Sequence, residues 1–115
     1  MDKIKRPPDL PSVTNRISTG CGNLYVTIGQ DKGRVIEIIA TLGKSGGCAK
    51  AQLEGLSRCI SLGLKYGVPL SEYVDELKEI QCQNTTWDKD TQIRSCPDAM
   101  SKVLEEVSRI KEDGV

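Results

Sequence analysis

An α+β fold is expected, a small antiparallel β-hairpin sheet followed by and packed against three α-helices, and three observations predict it. Apolar residues alternate with period two between Asn23 and Gly29, and a β-branched run follows from Arg34 to Leu42. Helical spacing replaces that alternation from Ala49 onward. Between the two lies a glycine-rich join, Gly43-Lys44-Ser45-Gly46-Gly47-Cys48, which feeds a helix N-terminus. Strands first and helices afterwards is the order of an α+β domain, not of repeating βαβ units.

Residues 1–13 carry Pro7, Pro8 and Pro11 among charges and read as a flexible, Pro-rich extended arm, with a single domain over 14–115. From Asn23 to Gly29, Leu24, Val26 and Ile28 alternate with Tyr25 and Thr27, the pattern of a strand with one buried face. Asp31 and Gly33 supply turn chemistry, and the β-branched run Arg34 to Leu42 pairs back as a hairpin strand. A short strand around Arg16 to Ser18 would add a third. After the glycines, Ala49, Leu53, Leu56, Ile60 and Leu64 form the stripe of a first helix that Gly67 stops. Leu70, Val74, Leu77 and Ile80 predict a second helix, and the polar residues 82–95 a long loop. A third helix starts in Ser95-Cys96-Pro97-Asp98, with proline in the first turn and Ser95 with Asp98 resembling a capping pair. Its stripe is Met100, Val103, Val107 and Ile110, and Gly114 ends it. That helix is longer than a small sheet needs, which leaves a homodimer seam open beside the ordinary reading of a core stripe.

The composition excludes several function classes. With 16 basic and 16 acidic residues the formal charge is zero, so no electrostatic footprint for nucleic acid exists. Lys3, Lys5 and Arg6 form the one basic cluster and read as a solvated tail. No apolar run is long enough to span a membrane or serve as a signal peptide core, so a cytoplasmic protein is expected. There is no histidine, which removes His-dependent nucleophilic catalysis, and no paired-carboxylate motif marks a hydrolase.

Five cysteines in a reducing compartment read as thiols or metal ligands before disulfides. Cys48 and Cys96 are predicted at helix N-termini, where free N–H groups and the helix dipole would lower a thiol pKa. Cys21 lies between Gly20 and Gly22, where missing Cβ atoms allow a close approach, and Cys82 opens the long loop. Cys59, next to Ile60 on the first helix, is expected in the core. The remaining four match the count of a closed tetrahedral zinc site, although they are widely spaced and lack the paired CxxC pattern of a zinc finger. The alternative reading makes Cys21 and Cys48 packing residues and Cys82 and Cys96 bystanders. A domain with one tryptophan, three tyrosines and no phenylalanine gains more than most from a metal staple.

Gly43-Lys44-Ser45 resembles the end of a Walker A motif, but the required earlier glycine is replaced by Ile38 inside a strand, so a P-loop is rejected. Gly43, Lys44, Ser45, Gly46 and Gly47 stay a candidate site for a phosphorylated small molecule at a helix N-terminus, against the alternative of a tight strand-to-helix turn.

Three words, TGCGNLYVTI at Thr19 to Ile28, LGKSGGCAKAQLEGLSRCISLGL at Leu42 to Leu64 and SCPDAM at Ser95 to Met100, together resemble the TSCPD domain. That domain is the zinc-binding module near the C-terminus of adenosylcobalamin-dependent ribonucleotide reductases, also found in small stand-alone proteins. The likeness covers roughly residues 17–105. It implies that Cys21, Cys48, Cys82 and Cys96 are the zinc ligands. Arg94 stands where the motif has threonine, a change that touches the loop more than the ligands. The reductase barrel, cobalamin site and cysteine-pair tail have no counterpart in the sequence, so reductase activity is not expected. A fainter likeness, on Gly47-Cys48-Ala49, is to the NifU type of iron–sulfur scaffold.

Three functions follow as expectations. The first is a non-catalytic zinc-binding module that binds a ribonucleotide reductase or another protein. The second is a protein that binds a phosphorylated nucleotide or nucleotide-derived signal through Gly43 to Gly47. The third is an iron–sulfur or thiol redox protein using Cys48 and Cys96 as activated thiolates.

Overall fold

The computed structural model describes residues 2–43 and 47–113, with side chains described as far as Arg109. Lys44, Ser45 and Gly46 of the expected phosphate loop, and Gly114, expected to end the last helix, lie outside the described residues.

Three antiparallel strands, β1 (Ser12–Thr19), β2 (Gly22–Asp31) and β3 (Arg34–Leu42), form the main sheet in the order β1-β2-β3. The third strand, expected as a short piece at Arg16 to Ser18, is β1 and runs for eight residues. Lys32 and Gly33, both at positive φ (53° and 78°), make the tight β2–β3 turn, a conformation whose twist matches that of the flanking strands. The register sets Leu24 opposite Leu42, Val26 opposite Ala40 and Ile28 opposite Ile38, so the alternation read in the sequence becomes one buried face. Pro11 accepts a hydrogen bond from Gln30 N–H (2.9 Å), Ile4 N–H donates to the Lys65 carbonyl (2.9 Å), and Arg6 grips Glu37 through two nitrogens. Residues of the Pro-rich segment therefore contact the body of the domain.

Helix α1 (Gly47–Lys65) lies against β3. Its buried residues are Leu53, Ser57, Ile60, Ser61 and Leu64. The expectation that Cys59 belongs to the core is wrong: Cys59 is exposed. The cause is two serines that rotate the helix. Ser61 Oγ accepts from Ile38 N–H (2.9 Å) and donates to the Ile38 carbonyl (3.0 Å), and Ser57 Oγ accepts from Ala40 N–H (3.0 Å). These hydroxyls stand where a fourth strand would, closing the outer edge of β3. With Ser57 and Ser61 turned inward, helical spacing points Cys59 at water. Gly67, at φ 95°, ends α1 as expected: its N–H bonds the Leu64 carbonyl, and Val68 N–H bonds the Gly63 carbonyl.

Helix α2 (Leu70–Leu77) stops before Ile80, which is exposed and not part of the stripe as expected. Glu79 takes a positive φ (63°) and turns its N–H to the Asp98 carboxylate at 2.7 Å, which breaks the helical path. Residues 82–95, expected as a loop, contain a small hairpin, β4 (Thr86–Asp88) with β5 (Thr91–Ile93). Short polar strands leave no apolar alternation to read; Ile93 is the one fully buried residue of the pair. Asp88 Oδ2 accepts from Ser18 N–H (2.8 Å) and ties the hairpin to β1. Helix α3 (Cys96–Asp113) then crosses the sheet, burying Ala99, Met100, Val103 and Leu104 against Leu24, Ile28 and their neighbours in a single core. No described helix is long and apolar enough to cross a membrane.

Candidate metal centre

Three of the four cysteines singled out by the sequence come together at one end of the molecule. Cys21 sits in the β1–β2 turn, Cys82 just beyond α2, and Cys96 at the first position of α3. Gly20 explains the approach of the first two. A Cβ on Gly20 would overlap the Asn84 carbonyl, so only glycine lets the turn press against the segment that follows Cys82. Gly22, at φ 127°, completes the turn. Asn84 bridges the pair: its side-chain amide donates towards Cys21 Sγ at 3.7 Å, and its backbone N–H donates to Cys82 Sγ at 3.3 Å.

Cys96 meets the same turn through Thr19. Its thiol donates towards Thr19 Oγ at 3.8 Å, and that hydroxyl also accepts from Cys21 N–H (3.1 Å) and donates to the Gly22 carbonyl (2.8 Å). Burial pushes the Cys96 thiol above its ordinary pKa; the Thr19 hydroxyl works the other way, and nearby Cys21 and Cys82 push it further up. The expectation that the helix N-terminus makes Cys96 an activated thiolate is thus overturned. Half-burial first, and then the two neighbouring thiols, push the Cys96 thiol in the direction opposite to that expected from the helix N-terminus.

Cys48, the second residue of α1, is exposed, and no contact joins it to the other three among the described residues. It enters from the same end of the sheet: Gly43 N–H bonds the Asn23 carbonyl (3.0 Å), two residues from Cys21. Among the described residues no group of three or more Cys, His, Asp or Glu side chains forms a ready-made metal cage. The cysteine-clustered metal site expected with the fold is not shown among the described residues; what the structure brings near one another is three thiols.

The residue that braces this end is Asp98, which the sequence suggested only as half of a capping pair. Ser95 does cap α3, its Oγ accepting from Asp98 N–H (3.0 Å). The Asp98 carboxylate, fully buried, looks the other way. Oδ1 accepts from Glu79 N–H (2.7 Å) and Lys102 Nζ (2.8 Å), and Oδ2 from Arg94 N–H (2.9 Å). Burial alone would raise its pKa; Lys102 and the two backbone donors outweigh that and hold it below the usual carboxylate range. Arg94 in turn accepts at its carbonyl from Cys82 N–H (2.9 Å). One carboxylate therefore fixes the end of α2, the return of the hairpin and the start of α3, and through Arg94 sets the backbone of Cys82. The sequence marked Asp98 only as a local cap and gave no signal for Thr19 or Asn84, whose side-chain contacts to Cys96 and Cys21 lie far along the chain.

The expected phosphate loop is described only at its ends. Gly43 spends its N–H on Asn23, Gly47 opens α1, and neither lines the two cavities found beside β1 and beside β3.

Comparison with known proteins gives a consistent result. The chain is 35% identical over 75 residues to the vitamin B12-dependent ribonucleotide reductases of Bradyrhizobium diazoefficiens and Agrobacterium fabrum, covering 64% of this chain and 6% of each relative. The corresponding protein of Streptomyces clavuligerus is 24% identical over 100 residues, covering 85% of the chain and 10% of the relative. The chain thus spans no more than a tenth of the length of these relatives. No solved structure matches it. The TSCPD domain family matches residues 2–108, which takes in the sheet, the first two helices, most of the third and every cysteine, and the chain belongs to that family.

Proposed function

We propose that this TSCPD domain is a non-catalytic zinc-binding module with an accessory, protein-binding role, a ribonucleotide reductase being the foremost partner. The observation that carries the reading is the convergence of Cys21, Cys82 and Cys96 around Thr19 and Asn84, three thiols from three separate parts of the chain. The donor set fits zinc. It consists of sulfur atoms alone, with backbone and amide donors aimed at two of them, the kind of outer partner that orients thiolate ligands. Cys21, Cys48, Cys82 and Cys96 would hold the ion. Bound there, zinc would deprotonate the thiols and lock the turn, the hairpin segment and two helix starts together. Four protein ligands leave no position for a substrate, which is why a structural role is favoured over chemistry. The partner rests on kinship: the relatives are reductases, and the matched stretch is a small part of each.

Elemental analysis of the purified protein tests the metal. Stoichiometric zinc is expected, lost on changing any of the four cysteines to serine and retained in Cys59→Ser. Protein that holds no zinc and melts at the same temperature before and after a strong chelator would rule the reading out. Co-purification with a reductase, abolished by chelation, is the corresponding expectation for the partner.

A further inference from the structure

The two edges of the main sheet are finished in different ways. On β3, Ser57 and Ser61 occupy the outward backbone groups of Ile38 and Ala40. On β1, Ser18 N–H points away from β2 and is taken by Asp88. Strand alternation turns the backbone groups of Ser12, Thr14 and Arg16 to that same side. Among the described residues these three have no hydrogen bond there. The stretch from Ser12 to Arg16 also lacks a proline, a lysine and a bulge, the devices that normally blunt an edge. Val13 is 63% exposed on it. A cavity of about 470 Å³ runs alongside, lined in part by Val13, Ile17, Val103 and Val107.

We propose that this edge pairs with β1 of a second copy of the chain, antiparallel across a two-fold axis at Thr14, so that one sheet runs through both copies. The free stretch fixes the register. Asp88 closes it at Ser18, and at the other end β1 begins at Ser12. Outward-facing residues must lie opposite outward-facing residues, and the centre of Ser12 to Arg16 is Thr14. Thr14 then faces its own copy and Ser12 faces the partner's Arg16, each facing pair exchanging two backbone hydrogen bonds. The charges are self-complementary in this arrangement. Arg16 meets a serine and not another arginine, the groove rim carries Lys89 with Asp88 and Lys102 with Glu106, and the chain has no net charge to hold two copies apart. Self-pairing of one patch across a two-fold axis is the commonest way soluble chains dimerise.

Native mass spectrometry and scattering on the purified protein test the pairing. A dimer is expected. Val13→Lys adds a charge at an exposed position without touching the core, and should give folded monomer whose melting temperature no longer rises with protein concentration. Thr14→Pro removes the central N–H, which β2 does not use, and should weaken the dimer about a hundredfold, the equivalent of two or three hydrogen bonds. A monomeric wild-type protein overturns the proposal, as does a dimer that survives Val13→Lys.

Discussion

Two helices of this domain begin with a cysteine in the first turn, and the structure treats them in opposite ways. Cys48 opens α1 exposed to solvent, with a buried serine face further along the helix doing the anchoring. Cys96 opens α3 half-buried, its cap made by Ser95, its first turn held by Asp98 and its thiol set against Thr19 with Cys21 and Cys82 nearby. A helix N-terminus by itself therefore does not decide what a cysteine does. Its burial and the groups brought in by other elements do, and at Cys96 they raise the thiol pKa that the dipole would lower.

The bracing of α3 breaks most severely at Asp98. Asp98→Ala leaves Glu79 N–H and Arg94 N–H without an acceptor and Lys102 without its ion pair, in a place with no solvent access. The expected loss is about 3–5 kcal/mol, the range for removing one partner of a buried pair. Chemical denaturation measures it. A loss below about 1 kcal/mol, the scale of an ordinary hydrogen bond, would show that the carboxylate does not brace the site. The same treatment applied to the start of α1 has no comparable target, since α1 carries no acidic residue in its first turn.

Next in size is the contact that brings Cys21 to Cys82. Gly20→Ala puts a methyl group into the Asn84 carbonyl and must push the turn and the segment apart, at a cost of about 2–3 kcal/mol by the measure of overpacking. Denaturation gives the stability change, and zinc content gives the functional one. Retained zinc with unchanged stability would mean that the approach of these two segments is not what assembles the site.

Much of this architecture was legible in the sequence, and the exceptions share a cause. Alternation located β2, β-branched content after a turn located β3, and helical spacing located α1 and α3, because each buries a face wide enough to leave a pattern. The Gly-Cys-Gly turn signalled a close approach, and the structure supplies the visitor, Asn84. Cys59 was misplaced because period alone cannot see that Ser57 and Ser61 turn inward to close the edge of β3; small polar residues on a buried face look like solvent positions. The β4–β5 hairpin escaped notice because it buries only Ile93. Asp98 looked like a local cap because its Ser95 bond is three residues away, whereas its bond to Glu79 spans 19. Long-range partners of polar atoms leave no periodic trace.

On the α1 side the serine closure can be opened directly. Ser61→Ala removes the acceptor of Ile38 N–H and the donor to the Ile38 carbonyl beneath a helix. About 1–2 kcal/mol should be lost, the cost of leaving buried backbone groups without partners. Ser61→Thr keeps the hydroxyl and should recover most of it if the extra methyl fits. An alanine variant as stable as the wild type would show that α1 holds β3 by apolar contact alone.

The smallest effect sharpens the contrast between the two helix starts most directly. In metal-free protein Cys48→Ser should change stability by less than about 0.5 kcal/mol, as expected for an exposed position without a structural partner. Alkylation gives the more telling readout. Without metal, Cys21, Cys48 and Cys59 should react first, being exposed, and Cys96 last, because burial both hides its sulfur and keeps it protonated. Adding zinc should then protect Cys48 together with Cys21, Cys82 and Cys96 and leave Cys59 reacting at its former rate. If Cys48 keeps its reactivity in zinc while the other three lose theirs, the start of α1 lies outside the metal site and only the three converging thiols belong to it.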